Sequence, residues 1–536
     1  VTITATGGGQ TSTETIEIDV RNPNPPVISS VDKILNAGES SSFDYQLDSG
    51  YDANWVKFEV SRIPSVDISR RFDFLYDYPH YCSEQLTSRA LPLLFITQFK
   101  DTDNQEMEVI KKNVREAITQ LYGRQLTNGG IVYWPGNSSA NDWITSYAGS
   151  FLVSAKEKGY DVNEGVINRW RTYQRNLAQN WRAGNRDNRR YAYDQSDLDQ
   201  AYRLYTLALS GAPEMGAMNR MREIKDLSQQ ARWSLAAAYA LAGRVNVANE
   251  LVFNASMEVE SYSSNNSTYG SSDRDEALIL EALVLMGKDR EAFRHAQSVS
   301  QNLSRERSFT TQSTAWSLVA MGRLAEKTSG SLDFNWTLNG ANQPAVKSAK
   351  AIFQRELPTK PESGTITINN TGSGLLYVNV VSKTKPLRDS LPAIESNIRL
   401  EVSYTLMNGA PLDVSRLKQG TDLVSVVKVT NISGVNNYTD LALTQIIPSG
   451  WEIYNERMIS PDDADQAADA PYNYRDIRDD RVMTYFDINR GQSKTFRVRM
   501  MASYAGSFVF PAIQCEGMYD TNVSARTRAG RVVVDP

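Results

Sequence analysis

The feature that most constrains this fold is a double change in hydrophobic period along 536 residues. Through residue 72 apolar side chains alternate, as in Val1-Thr-Ile3-Thr, Ile16-Glu-Ile18-Asp-Val20 and Trp55-Val-Lys-Phe-Glu-Val60. That is the signature of strands with one buried face. From about Leu75 to Lys327 the spacing becomes three and four, which predicts helices. After Gly330 the alternation returns in Gly364-Thr-Ile-Thr-Ile-Asn369, Leu375-Leu-Tyr-Val-Asn-Val-Val381, Asp422 to Thr430 and Lys494 to Met500. Asn22-Pro-Asn-Pro-Pro26 and the stretch from Pro386 to Pro392 read as linkers. The β segments on either side of the helical block are each too short to be a domain, so the block reads as an insertion. A β-sandwich of ordinary size follows it. The length alone predicts about three or four domains.

Inside the helical block one pattern returns, an Ala-led apolar helix closing on glycine. It runs from Tyr147-Ala148 to Gly159, from Gln200-Ala201 to Gly211, from Trp233 to Gly243 and from Glu276-Ala277 to Gly287. Thr314 to Gly322 is a further copy. The irregular spacing between copies fits helical hairpins. Such hairpins stack as an open solenoid or close into a ring, and periodicity does not decide between the two.

Composition narrows the function. Hydrophobic content of 41% and charged content of 22% are those of a globular protein. A net charge of -5 without a basic run argues against a nucleic-acid partner. No stretch approaches the roughly eighteen apolar residues that a membrane span requires. The chain begins at Val1 and reads at once as strand, so we take it as a fragment or a processed product. Cys82 and Cys515 are the two cysteines, too few for a disulfide framework.

The chemistry concentrates in Cys82-Ser-Glu-Gln85, inside Tyr78-Pro-His-Tyr-Cys-Ser-Glu-Gln-Leu-Thr-Ser-Arg-Ala-Leu-Pro92. A cysteine and a glutamine three apart can condense, with loss of ammonia, into a thioester between the sulfur and the side-chain carbonyl. The ring closes without a cis peptide. Thiolate is a far better leaving group than an amine, so the bond stores acylating power that lasts only while water is excluded. Glu84 sits where its charge would favour a helix N-terminus. The alternative is a buried packing cysteine at a helix start.

The extended Tyr-Pro-x-x-Cys-x-Glu-Gln-x-x-Ser-Arg run resembles the thioester region of alpha-2-macroglobulins, the bacterial ones especially, and through them the complement thioester proteins. Gly129-Gly-Ile-Val-Tyr-Trp-Pro-Gly136 and Phe510-Pro-Ala-Ile-Gln-Cys-Glu-Gly-Met-Tyr519 resemble further stretches of that family. The resemblance implies a multidomain α and β architecture. An α/α toroid carrying the thioester is inserted in a CUB-like β-sandwich, and a C-terminal macroglobulin-like, receptor-binding-like β-sandwich follows. The expected divisions are 1–25, the end of a preceding macroglobulin-like domain; 26–72 and 331–388, the two parts of the CUB-like domain; 73–330, the toroid; and 389–536, the terminal sandwich. The family's front half, with its protease bait segment, has no counterpart in this chain.

The same resemblance implies an endopeptidase inhibitor rather than an enzyme. Its Cys82–Gln85 thioester would bind attacking proteases covalently, without a cofactor or metal, in a protein expected to be a monomer. Low cysteine content favours a bacterial envelope protein, and the resemblance implies a periplasmic setting, with an inner-membrane lipoprotein anchor in the full-length form. Tyr78 and Met518 take the place of the residues that cover the thioester, and Tyr133, Trp134, His80 and Glu84 are candidates to line the site. Cys515, an odd number of residues from Met518, is expected on the opposite strand face, in the core.

Complement proteins that esterify hydroxyls use a histidine from a later hairpin. Here the two histidines are His80 and His295. His295 lies off the Ala292, Ala296, Val299, Leu303 stripe and reads as solvated. Lysine amines are therefore the expected nucleophiles. Other classes stay open at this point: a cysteine hydrolase using Cys82 and His80, a toroid glycosidase or cyclase using carboxylates, and a thioester-based adhesion or scaffold module. The run from 462 to 480, with seven Asp and no Glu, lacks Ca²⁺-loop spacing and reads as a solvated loop.

Overall fold

A computed structural model describes residues 2–16, 27–47, 51–64, 68–99, 102–183, 196–262, 268–304, 310–327, 330–386, 392–454, 469–520 and 522–536. The strand expected through Ile18 and Val20, the linkers 22–26 and 387–391, and Asp462 to Asp465 lie outside the described residues. The chain opens on an exposed antiparallel hairpin, Thr2–Gly7 with Gln10–Thr15.

Strands from both sides of the helical block build one sandwich. One sheet pairs Ser40–Gln46 with Ser363–Asn370 and then Leu332–Leu338; the other runs Val27–Leu35, Leu376–Pro386, Tyr51–Ser61, Ile352–Leu357. The register sets Phe43 opposite Ile366 and Phe58 opposite Val380. Alternate residues therefore meet in a core that also holds Val60, Phe334 and Trp336.

Helix begins earlier than the alternation predicts, at Ile68. The sandwich itself pins that first helix, Ile68–Asp77. Trp55 Nε1 donates to Asp73, and the Lys383 ammonium binds both Asp73 and Asp77, which lie four apart on one helix face.

Six helices then form an inner ring: Ser83–Ala90, Asp142–Glu157, Ser196–Leu209, Gln229–Leu241, Ser272–Leu285 and Thr311–Lys327. Each packs on the next, and the last packs back on the first, so the ring closes. Asp142–Glu157 and Thr311–Lys327 are buried almost all round and rich in Ala and Ser, as tight packing between neighbours requires. Gly159, Gly211, Gly243 and Gly287 each lie two residues past an inner helix with φ between 70° and 88°. They are left-handed C-terminal caps that a side chain would strain.

Two expectations for this block need correction. Gly322 does not end its helix but sits within it, where a Cβ would come 2.9 Å from Phe95 Cβ. Close packing, not termination, explains that glycine. His295 is buried rather than solvated, because its Nε2 pairs with the Glu276 carbonyl of the neighbouring inner helix at 2.9 Å.

From Ile394 the chain forms sheets of six, four and three strands. Cys515 faces Leu443 and Ala525 across its strand neighbours and lies in the core with Phe486 and Phe496. Asp469 pairs with Arg475 and Arg497, and among the described residues no cluster of His, Cys, Asp and Glu is arranged to hold a metal. Among them, too, no helix is long and apolar enough to cross a membrane.

Candidate functional site

Cys82 is the N-cap of the first inner helix and Gln85 occupies its N3 position. An N-cap side chain accepts from the N3 amide while the N3 side chain reaches back to the N-cap amide. Here Cys82 Sγ accepts from the Gln85 amide at 3.5 Å, and Gln85 Oε1 accepts from the Cys82 amide at 3.3 Å. The ordinary requirements of a helix start thus hold a thiol beside a carboxamide. Both side chains are buried, and Gln85 Nε2 has no hydrogen-bond partner among the described residues. Leaving a buried donor unpaired costs about 1–3 kcal/mol.

The turn is fixed from the Gly129–Gly136 segment. Ser83 donates its amide to Tyr133 O at 3.0 Å and its hydroxyl to Val132 O at 2.6 Å. Arg124 donates to Ser83 Oγ and to Tyr81 O at 3.2 and 2.7 Å. Ser83, which the motif leaves variable, is therefore a structural clamp in this chain.

Aromatic and sulfur side chains close the site. Cys82 and Trp134 share an apolar cluster with Ala442, Met483, Tyr485, Met518 and Tyr519 of the C-terminal sheets. Tyr78 and Met518 meet each other, since Tyr78 Oη donates to Met518 O at 3.2 Å. Tyr133 stacks on Tyr269 at 5.0 Å, and Trp134 lies against Tyr474 and Tyr485 at 4.6 and 4.3 Å.

His80 is buried in the same wall but is engaged elsewhere, with Nδ1 2.9 Å from Tyr485 Oη and Nε2 3.4 Å from Glu516. Burial, and secondarily the Glu84 charge, push the Cys82 thiol up to about 12. A protonated thiol and an imidazole turned to other partners are not the thiolate and base that a cysteine hydrolase uses.

Tyr519 is the residue that the sequence did not single out. Its hydroxyl lies 3.6 Å from Cys82 Sγ, 2.7 Å from Tyr133 Oη and 3.1 Å from Glu84 Oε2. Residues 518 and 519 follow the strand Gln514–Gly517, so alternation no longer governs them and both enter the seam with the toroid. Glu84 also accepts from Thr311 and from Ser88. Burial outweighs those bonds and raises its carboxyl to about 7.

Residues 398–522 match the family model of the bacterial alpha-2-macroglobulin MG10 domain. An alpha-2-macroglobulin homolog of Yersinia pestis is 24% identical over 507 residues, covering 86% of this chain and 24% of that protein. The chain spans about a quarter to a third of the length of the curated relatives it matches over most of its own length. Native Escherichia coli alpha-2-macroglobulin, from domain MG7 to the C-terminus, superposes with a TM-score of 0.80 at 21% identity, covering 99% of this chain and 86% of that one. Salmonella alpha-2-macroglobulin reacted with methylamine gives 0.80 at 22%, covering 98% of this chain and 35% of that one. In sequence and in fold, then, the chain is similar to the C-terminal part of bacterial alpha-2-macroglobulins.

Proposed function

We propose that this chain is the acylating part of a bacterial alpha-2-macroglobulin-type protease inhibitor, in which Cys82 and Gln85 condense to an internal thioester. The observation that carries the reading is the capping box built from a thiol and a carboxamide, buried, with its amide nitrogen unpaired among the described residues. Condensation expels that nitrogen as ammonia and so removes the buried donor without a partner. A lysine amine of an attacking protease then adds to the Gln85 carbonyl carbon and displaces the Cys82 sulfur, leaving an amide and a free thiol. Amines are preferred because neither histidine is placed to activate a hydroxyl: His80 faces Tyr485 and Glu516, and His295 packs against Glu276. Cleavage in a part of the protein that this chain does not span would withdraw the C-terminal cover. The same reading carries a periplasmic setting in the bacterial envelope.

Methylamine tests it. Treated protein should gain one methylamine at Gln85 and one titratable thiol, and Cys82→Ala should abolish both changes. Untreated protein that shows both thiols under denaturant at full sequence mass, even when freshly prepared, would contradict the reading.

A further inference from the structure

We propose that Tyr519 and Glu84 form a proton relay serving the Cys82 sulfur, so that the C-terminal domain supplies a catalytic hydroxyl as well as a cover. The proposal rests on the thioester reading above and adds the groups that move the proton. The need for them is chemical. Thiolate is the nucleophile of ring closure, yet the Cys82 thiol is pushed up to about 12 and holds its proton at neutral pH. A base must therefore take that proton as the sulfur attacks.

The geometry supplies one. Tyr519 Oη has a single proton and lies 3.1 Å from Glu84 Oε2, where the hydroxyl donates to the carboxylate. Its oxygen has two lone pairs: one meets Tyr133 Oη at 2.7 Å, and the other can accept from the Cys82 thiol, 3.6 Å away, a normal reach for sulfur. The chain Sγ–H to Oη, Oη–H to carboxylate is aligned in the direction that closure requires.

In closure Sγ bonds to Gln85 Cδ as its proton passes to Tyr519 and the Tyr519 proton passes to Glu84. The Cδ–Nε2 bond then breaks. The nitrogen leaves with that electron pair, takes up the proton returned from Glu84 through Tyr519, and departs as ammonia. Thiol and carboxamide have become thioester and ammonia, with Tyr519 and Glu84 unchanged. Aminolysis reverses the path: the amine nitrogen bonds to Cδ, the C–S bond breaks, and the sulfur leaves with its electron pair. Tyr519 protonates the sulfur and is itself reprotonated through Glu84 by the proton shed from the attacking nitrogen.

Glu84 is faced by Cys82 and Ser88 of its own turn, by Thr311 and Gln312 of the last inner helix, and by Tyr147 of the second. Tyr78, Tyr519 and Asp440 complete its surroundings. Asp440 is held at about 7 by burial and by Asp487, so it titrates in the same range and needs its own control.

The test uses ammonia, which returns the thioester to the Cys82 thiol and Gln85 carboxamide; its removal starts closure. Closure is followed by thiol loss and intact mass from well below to well above the Glu84 value of about 7. The wild-type rate should rise through that value and then level, and Asp440→Asn should keep the rise. Tyr519→Phe retains the ring, and so the cover, but should close about a hundredfold more slowly. Glu84→Gln should be slow and lose the pH dependence, and it carries the test alone if Tyr519→Phe melts early. Closure of Tyr519→Phe at the wild-type rate overturns the relay, as does a Glu84→Gln profile that still rises through 7. Wild-type protein that never shows the ammonia deficit overturns the thioester reading itself, and the relay falls with it.

Discussion

The N-cap of a helix is usually Ser, Thr, Asp or Asn, whose oxygen accepts from the N2 or N3 amide. At Cys82 a sulfur takes that place, and Gln85 completes the reciprocal bond. The sequence predicted this pair because the motif is local, and it placed Tyr78 and Met518 through resemblance. Tyr519 escaped, because its place beside Cys82 depends on a part of the chain that arrives more than four hundred residues later. The cover proposed for Tyr78 and Met518 can be tested where the two residues meet. Removing the Tyr78 ring takes away its bond to the Met518 carbonyl, and truncating Met518→Ala leaves a gap in the cluster around Cys82. Each should speed thioester hydrolysis severalfold, read as thiol release over time, with the thermal melt of the toroid unchanged; unchanged release in both variants would contradict the shield. Nucleophile choice is a second test. Lysine-like amines and glycerol-like alcohols in competition should give amide products, and predominant ester would return attention to His80. The carboxyls offer a third. Burial lifts Glu84 to about 7 from 4.5. A raised carboxyl pKa stabilises the fold while the group is protonated, and that contribution disappears as pH rises through the folded value. Glu84→Gln should therefore gain stability relative to wild type between pH 4.5 and pH values above 7, by on the order of 1–3 kcal/mol. Paired melts at the two ends measure it, and a pH-independent difference would refute it.

Among the helices, what was legible was each element by itself. The Ala-led stripes marked five of the six inner helices, and the glycines two residues past four of them marked their ends, since both signals arise from local backbone and one buried face. Ring closure was not legible, because periodicity reports which face a helix buries and not which neighbour covers it. The early start of the helix Ile68–Asp77 was missed for a related reason: the sandwich holds it through Trp55 and through Lys383, the latter far from it in sequence. Glycine inside a helix has a separate meaning here. A Cβ at Gly149 would fall 2.1 Å from the Trp170 ring, where the second inner helix meets its outer partner. Gly149→Ala should cost about 1–3 kcal/mol of toroid stability through overpacking, seen as a lowered melt. A melt within error of wild type would mean that the helices separate more easily than their packing implies.

Across the whole molecule the site exists only where two bodies meet, the inner ring supplying the reactants and the C-terminal sheets supplying Tyr485, Met518 and Tyr519. The change of period told of the inserted helices and of the sandwiches around them. It could not tell which sheet face would cover the cysteine. Ala442, fully buried at this seam, tests the docking. Ala442→Lys would place an ammonium in a dry aromatic cluster, a burden of several kcal/mol that undocking relieves. The helical content should persist while thioester hydrolysis in the native protein, read as release of the Cys82 thiol, becomes faster. Release as slow as in wild type would show that the sheets are not what keeps solvent away. The central claim is that the buried pair is chemically joined. It is tested most directly by the intact mass of freshly purified protein: the account predicts a mass one ammonia below the sequence mass in wild type and the full sequence mass in Cys82→Ala after allowance for the substitution, whereas a wild-type mass equal to the sequence mass would contradict it.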